Sequence, residues 1–549
     1  MNAVDEEYSP PDDDARYVET VNRALRDGDS SGRHLRETLA RDELTGLARV
    51  PNSIRGAIWN FLLLSTKGNR ELFGSISDEQ FRESANESFG IMEEVMRDQL
   101  EVDAKRTRPS LKRFRGQESK NDLVRILAAF CEKENLRYVQ GINEIVAMFM
   151  LLQDLGHSPK IVCELLSSFL HDFASWDLES SDESDTSSLA FHKLKYCFRS
   201  FRILLQYHDS ELFNRLESMG LEPNMYATSW FVTLFARNFS VEATFALWDN
   251  VIVGNDRSDF FFFATALLVS RRELLMQVND AHLPEEILNL RAETKGEVSA
   301  LWAWGMKLKQ NTPNSFVDML SSPLTMCGLQ DVPDKDPVLM TVNVDDIFGD
   351  PNKQFLIWDC RTMREFESGR IARAAHLELD GLRFGSREDA VKDLESVIAK
   401  NEPLRISGTH VCLVGSGIPA EDAFDVIPAA TCLTKNGFRY ISFLKGGFPE
   451  ALTKSPEQVT DLSHAKLEAG ISLRKRQEER SLYARERGVP DGVIALVNRT
   501  DSEVTDMVDK AKGTIERFGS EIRSALANQI AQRNRKKGEE ELQDDEETG

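Results

Sequence analysis

The spacing of apolar residues changes close to residues 321–337 of this chain. Before that segment apolar residues recur every three or four positions, as in 123–136 and 241–253, and this spacing predicts amphipathic helices. After it, short apolar runs alternate with helical stretches, which predicts a parallel sheet. We therefore expect a multidomain protein: an all-α domain, then an α/β domain of parallel sheet with flanking helices, then a helical charged tail.

Three apolar runs carry the strand prediction. FLIWDC (355–360), HVCLVG (410–415) and YISFLKGG (440–447) are short and end in turn residues. Helical stretches lie between them at 387–400 and 428–437. Neighbouring parallel strands are joined by a crossover that is usually a helix. The alternation therefore predicts that these strands lie in one parallel sheet.

Composition and punctuation residues set the expected boundaries. A length of 549 residues agrees with about two to four domains. Residues 504–525 repeat apolar side chains at 4-3-4-3 spacing, which fits either a coiled-coil seam or one amphipathic helix folded back on the body. We expect a disordered acidic N-terminus at 1–16, a helical domain at 17–320 with an acidic loop at about 177–188, a linker at 321–337, an α/β domain at 338–456, a helical region at 457–535 and a disordered tail at 536–549.

The bulk properties exclude several classes of function. A net charge of −23 argues against a broad nucleic-acid-binding face, although 106–116 form a local basic patch. The seven cysteines show neither CxxC nor zinc spacing, which predicts no metal site and reduced thiols in the cytosol. The acidic start resembles no targeting peptide. Apolar runs are shorter than the about 20 residues that span a bilayer, so we expect peripheral membrane association through partners.

Two short motifs are weak alone but specific in context. VDAKRTRP (102–109) and YVQGINEI (138–145) follow RGAIWNFLL (55–63) and precede a long apolar segment at 230–269. In this order, over roughly residues 40–310, the four segments resemble the TBC domain, a helical domain that activates Rab GTPases. In the second motif Ile142 replaces the methionine of the family pattern.

The resemblance implies a catalytic role for two residues. Arg106 corresponds to an arginine finger, and Gln140 corresponds to a glutamine finger that positions the attacking water in place of the GTPase's own glutamine. A guanidinium supplied in trans stabilises the charge that develops during GTP hydrolysis. The family resemblance also implies that GTP and Mg²⁺ are carried by the partner GTPase, so no cofactor of the chain's own is expected.

Four neighbours are expected to support these fingers. Asp103 lies three residues before Arg106, one helical turn away, and is placed to hold its guanidinium. Thr107 completes the family motif, and Tyr138 is expected to pack beside Gln140. Gly141 allows close backbone approach.

The second domain resembles the rhodanese family. Residues 355–377 match its strand, Asp-X-Arg and Gly-X-Ile pattern, and 437–448 match its closing strand. In active members a nucleophilic cysteine begins the intervening loop, whose amides stabilise a persulfide. Here a valine takes that position and Cys412 falls two residues early, inside the strand. We expect a catalytically inactive domain with a degenerate loop formed by Val414, Gly415, Ser416 and Gly417.

These resemblances lead to three functional hypotheses. The first is a Rab GTPase-activating protein acting in endosome-to-Golgi transport. The second is a non-catalytic adaptor at the trans-Golgi network, linking golgin coiled coils to endosome-derived vesicles, because a subgroup of TBC proteins shares this domain order. The third is a sulfurtransferase that uses Cys412 through a shifted alignment. The first two imply a cytoplasmic protein, peripheral at Golgi or endosomal membranes.

Overall fold

The computed structural model describes ten parts of the chain: 14–27, 32–39, 46–64, 75–174, 192–322, 339–350, 353–379, 387–417, 422 and 426–460. The chain divides into two compact units. The first comprises Met1–Lys353 and Thr434–Ile441, and the second comprises Gln354–Leu433 and Ser442–Gly549. The division at Gln354 differs from the expected boundary at 338, because the strand at Met340–Val342 and the helix at Val344–Phe348 pack on the helix at Asn314–Ser321 of the helical unit.

The first unit is helical almost throughout its described residues. One short strand, β1 (Met340–Val342), follows its long helices. The helices are α1 Ala15–Arg26, α2 Arg33–Thr38, α3 Arg55–Leu64, α4 Asp78–Ile91, α5 Glu94–Arg106, α6 Gln117–Lys133, α7 Ile142–Met150, α8 Pro159–Phe173, α9 His192–His208, α10 Ser210–Ser218, α11 Pro223–Tyr226, α12 Thr228–Val232, α13 Val241–Gly254, α14 Ser258–Ser270, α15 Arg272–Gln277, α16 Leu283–Leu288, α17 Lys295–Gln310, α18 Asn314–Ser321 and α19 Val344–Phe348.

Local capping explains where several of these helices begin and end. Ser77 and Gln80 form a reciprocal capping box at α4, and Thr294 and Glu297 form another at α17. Each box satisfies backbone N–H groups that have no partner inside the helix. Asn255 ends α13 in the left-handed conformation, which asparagine tolerates better than most residues.

A single aromatic-rich core holds the first unit together. Its largest fully buried side chains include Trp59, Trp230, Trp248 and Trp302, and Trp59 packs edge-on against Phe149 with ring centroids 5.8 Å apart. Helices α5 and α7 both pack on α6. The helix pair that carries the two motif segments is therefore fixed through a shared, buried neighbour.

The second unit contains a parallel sheet with helices. The strands are β2 Phe355–Asp359, β3 Arg370–Ile371, β4 Ala375–His376, β5 His410–Val414, β6 Ile441–Leu444 and β7 Val459–Thr460, and the helices are α20 Met363–Ser368, α21 Arg387–Asn401, α22 Leu404–Ser407, α23 Val426–Lys435 and α24 Gly447–Lys454. The order β6-β5-β2-β4 runs across the sheet. β2 is parallel to β4 and to β5, whereas β3 and β7 form a separate antiparallel pair.

The prediction of an all-α region followed by an α/β region is confirmed at this level. Helix α1 begins at Ala15, so the last two residues of the expected disordered N-terminus are helical. The acidic loop at 177–188, most of the linker, the 504–525 seam and the tail lie outside the described residues. Within the parts described, no helix has the length and apolar character needed to cross a membrane.

Candidate functional site

Arg106 is the last residue of α5, and its side chain is 51% exposed. Its guanidinium lies 2.6 Å from Oδ1 of Asp103, a carboxylate that is only 1% exposed. The two residues share a helix face because they are one turn apart. A buried anion therefore orients a cation whose outer half faces solvent.

A buried hydrogen-bond network joins this helix end to the segment before α7. The Tyr138 hydroxyl donates to Oδ2 of Asp103 at 2.7 Å. Thr107 donates to the Asp103 carbonyl at 2.6 Å and accepts from the Asn143 amide at 2.8 Å. Oδ1 of Asn143 in turn accepts the N–H of Gly141 at 3.1 Å. Residues about 35 positions apart are thus locked into one unit.

Burial determines the protonation state of the Tyr138 phenol. Burial of Tyr138, together with its hydrogen bond to the Asp103 carboxylate, raises the pKa of the tyrosine. The phenol therefore stays protonated and remains a donor at neutral pH. The structure places the Tyr138 hydroxyl on Asp103, beneath Arg106.

Gln140 is exposed in the turn that precedes α7. Within the described residues its side-chain amide makes no hydrogen bond. The next residue, Gly141, has φ +116° and lies against the α12 end, where an added Cβ would be 2.9 Å from Cγ2 of Thr233 and 3.3 Å from Cγ1 of Val232. Only glycine fits this close approach without strain, so the packing of Gly141 fixes the backbone from which the Gln140 side chain extends.

A second ion pair lies beside the network. Nε of Arg108 is 3.2 Å from Oε2 of Glu144, both side chains are largely buried, and Arg108 also donates to the Ala236 carbonyl. Burial lowers the pKa of Arg108 and raises the pKa of Glu144, and each partner opposes the shift in the other. The sequence places Arg108 in the basic patch at 106–116, whereas Glu144 is not singled out there, although Asn143 and Glu144 are the two polar residues at the start of an apolar helix.

The basic patch at 106–116 is smaller than its sequence suggests. Arg108 is buried in the pair with Glu144, and Arg113 is half-buried, with contacts to the His157 ring and the Gly156 carbonyl. Lys112 and Arg115 remain exposed. Within the basic patch at 106–116, Arg108 therefore does not present its charge at the surface.

The motif at 55–63 is structural. Nε and Nη2 of Arg55 donate to the fully buried Asp249, and the Trp59 indole N–H donates to the same carboxylate at 2.9 Å. Burial raises the pKa of Asp249 despite the neighbouring Arg55. These bonds to Asp249 join α3 to α13. Removing Arg55 would leave the buried Asp249 carboxylate without its cation.

Two backbone amides in the described part of the loop after β5 are bonded within the chain. Backbone N–H groups of Ser416 and Gly417 donate to Asp422 at 2.8 and 3.2 Å. Val414 is the buried last residue of β5. The amides that would face an anion in an open loop already bind a carboxylate of the same chain. Cys412 is fully buried within β5, and Gly415 accepts a backbone hydrogen bond from Phe448.

The described parts of the chain contain no candidate metal site. No cluster of three or more histidine, cysteine, aspartate or glutamate residues among them has the geometry to hold a metal ion. Six cysteines lie in those parts and none forms a disulfide. The only chemistry that the exposed part of the Arg106 network offers is a guanidinium and a carboxamide.

The chain is similar to TBC-domain proteins. Residues 52–276 match the family model described as the Rab-GTPase-TBC domain. The TBC domain-containing protein kinase-like protein of Homo sapiens is 28% identical over 180 residues, covering 32% of this chain and 19% of the relative. Its Dictyostelium discoideum counterpart is 24% identical over 339 residues, covering 60% and 30%. TBC1 domain family member 12 of Xenopus tropicalis is 25% identical over 272 residues, covering 45% and 37%.

This chain thus spans less than two fifths of the length of each of these three relatives. Among solved structures, the Ypt/Rab-GAP domain of Gyp1p gives a TM-score of 0.44 at 17% identity and covers 54% of this chain and 98% of that one. The Chlamydomonas flagellar RabGAP TBC domain gives 0.42 at 18%, covering 53% and 91%. The family match and the motifs within it lead to one conclusion: this chain carries a Rab-GTPase-TBC domain over residues 52–276.

Proposed function

We propose that this protein activates a Rab GTPase by inserting Arg106 and Gln140 into the nucleotide site of that GTPase. The observation that carries the proposal is the contrast in exposure within one network. Asp103, Thr107, Tyr138 and Asn143 are buried, while Arg106 and Gln140 are exposed. The polar interior holds the two segments in place, and the two side chains that emerge are those that GTP hydrolysis needs.

The guanidinium supplies charge. Hydrolysis moves negative charge onto the β–γ bridging region, and an arginine in trans accelerates it by about 10³–10⁵. Asp103 holds one side of the Arg106 fork, which reduces the rotamer freedom that the side chain must lose on insertion. The remaining N–H groups are left for phosphate oxygens.

The carboxamide supplies orientation. A glutamine amide both donates and accepts hydrogen bonds, so Gln140 can hold the attacking water toward the γ-phosphate. Its backbone is fixed by Gly141 and Asn143, whereas its amide keeps full hydrogen-bonding capacity. In this mechanism GTP and Mg²⁺ are carried by the GTPase and the chain contributes side chains only.

A rate measurement tests the proposal. Single-turnover GTP hydrolysis is followed for a panel of purified Rab GTPases with the full chain and with Arg106→Ala. We expect stimulation of one or a few members, reduced by about 10³-fold or more in the variant. Arg106→Ala leaves the buried Asp103 carboxylate with the Tyr138 hydroxyl but without its cation, so about 1–3 kcal/mol of unfolding free energy should be lost. Thermal unfolding confirms that the variant is folded at the temperature of the rate measurement. A folded wild-type protein that stimulates none of the panel would contradict the proposal.

A second candidate function is a bridging adaptor at the trans-Golgi network that links golgins to endosome-derived vesicles. Its support is the closed loop after β5, where Asp422 occupies the Ser416 and Gly417 amides. A rhodanese-like domain whose Ser416 and Gly417 amides are already bonded fits a binding module, and this domain order resembles TBC domain family member 23. Binding of golgin N-terminal fragments to the full chain at micromolar concentration tests it, and absence of binding to any golgin would count against it.

A sulfurtransferase is the weakest of the three hypotheses. The thiol of Cys412 is fully buried in β5, and a thiol buried in this way is withheld from substrate and is a poor nucleophile. We expect no thiocyanate release from thiosulfate and cyanide. Release that disappears in Cys412→Ser would overturn this assignment.

A further inference from the structure

Besides Arg106, another cationic side chain lies near the site, on the loop between α12 and α13. Arg237 is exposed, and within the described residues its guanidinium makes no hydrogen bond or ion pair. The loop reaches this position through Leu234 and Phe235, two consecutive buried residues with φ of +47° and +69°. Backbone strain at non-glycine residues persists only where the surrounding packing imposes it, so the placement of Arg237 is built into the fold.

The segments that carry Arg106 and Gln140 both hold this loop. Arg108, two residues after Arg106, donates to the carbonyl of Ala236. Thr233 lies against Gly141, and its hydroxyl accepts the backbone N–H of Arg237 at 3.2 Å. The loop at Arg237 is thus attached on one side to the segment that carries Arg106 and on the other side to the segment that carries Gln140.

Two carboxylates on the segments that hold the loop are already paired with other arginines. Asp103 pairs with Arg106, and Glu144 pairs with Arg108. Burial raises the pKa of Glu144, and the charges of Arg106 and Arg237 are among those that oppose this rise. The Arg237 loop is also held by contacts with the segments that carry Arg106 and Gln140. The positive charge of Arg237 therefore adds to that of Arg106 on the face that meets the nucleotide.

We infer that Arg237 is a third contact residue for the GTPase, binding anionic oxygens beside the bound nucleotide. This inference rests on the proposed function. The oxygens belong either to a surface carboxylate of the GTPase or to a phosphate of GTP, and both match the bidentate geometry of a guanidinium. A carboxylate contact acts mainly on association, whereas a phosphate contact that strengthens in the transition state acts on turnover.

The test measures kcat and KM of stimulated hydrolysis with the full chain, on the GTPase that wild type activates. Arg237→Gln should lower kcat/KM about tenfold or more, as expected for a lost hydrogen bond to a charged group. Arg237→Lys should recover part of the loss, because charge is kept and the fork is lost. Arg271→Gln is the matched control: Arg271 is also exposed, but it directly precedes α15, which packs with α10 and α16.

The outcomes separate the inference from the proposed function. A raised KM with a weaker salt dependence assigns the contact to a carboxylate, and a lowered kcat assigns it to a phosphate. If Arg106→Ala abolishes stimulation while Arg237→Gln keeps the kcat, KM and salt dependence of wild type, the inference is wrong and the proposed function stands. Failure of wild type to stimulate any GTPase removes the proposed function and this inference together.

Discussion

The Arg106 network and the loop after β5 use a carboxylate in opposite ways. Both contain a glycine with positive φ, Gly141 at +116° and Gly417 at +77°. In the network, Asp103 binds side chains from below and leaves the outer part of Arg106 exposed. In the loop, Asp422 binds the backbone amides themselves.

The difference separates a site prepared for a partner from one that is internally satisfied. Exposed polar groups with unused hydrogen-bonding capacity keep their interaction energy for the molecule that binds them, whereas groups already paired must first lose a partner. The Arg106 network is therefore the part of the chain where substitutions should change activity. The loop after β5 is the part where they should change only stability.

The largest effect among these tests is expected at Gly141. Gly141→Ala places a Cβ 2.9 Å from Thr233 at a φ that only glycine adopts easily, so about 1–3 kcal/mol of unfolding free energy should be lost. A shift of the Gln140 backbone by about 1 Å should lower stimulated hydrolysis about 100-fold. Thermal unfolding and single-turnover rates measure the two effects.

Gly90→Ala is its control. Gly90 lies in α4 with no atom within 4 Å of an added Cβ, so alanine should leave activity unchanged and stabilise the helix by up to about 1 kcal/mol. Equal activity of the two variants would show that the close contact at Gly141 does not position Gln140.

A smaller effect is expected at Tyr138. Tyr138→Phe removes the hydroxyl that donates to Oδ2 of the buried Asp103, which should cost about 1–3 kcal/mol. Stimulated hydrolysis should fall about tenfold, because Asp103 loses one of the contacts that orient it toward Arg106. Tyr226→Phe is the matched control: Tyr226 is buried, but within the described residues its hydroxyl makes no hydrogen bond. A Tyr138 variant as active as the control would break the link between the buried network and the finger.

The smallest effect on activity is expected at Asp422. Asp422→Ala should leave stimulated hydrolysis at the wild-type rate and expose the amides of Ser416 and Gly417. Their hydrogen exchange should accelerate, with Asp422→Asn intermediate, because one acceptor oxygen of the two is retained. Gain of sulfurtransferase activity in Asp422→Ala would show that the loop is a closed catalytic site and would remove the contrast with the Arg106 network.

Local spacing predicts the parts of this molecule that depend on neighbours in sequence. Asp103 reaches Arg106 because the two residues are one helical turn apart, and β2, β5 and β6 lie within the apolar runs that indicate strands. These features need only the helical period or a continuous apolar stretch.

Tertiary contacts decide what the sequence left unassigned. The burial of Arg108 depends on Glu144 and on the carbonyl of Ala236, which is 128 residues away. The position of Arg237 depends on the same packing and on two residues with positive φ. No periodic pattern encodes such contacts, so a basic stretch at 106–116 suggested a surface patch where the structure has a buried pair.

One measurement tests the central claim most directly. A Rab GTPase that wild type activates is prepared with its own water-positioning glutamine replaced, and single-turnover hydrolysis is followed with the full chain and with Gln140→Ala. If Gln140 positions the water in trans, wild type stimulates this GTPase variant and Gln140→Ala does not. Equal stimulation by the two proteins would contradict the account, because the exposed amide of Gln140 would then contribute nothing to the chemistry.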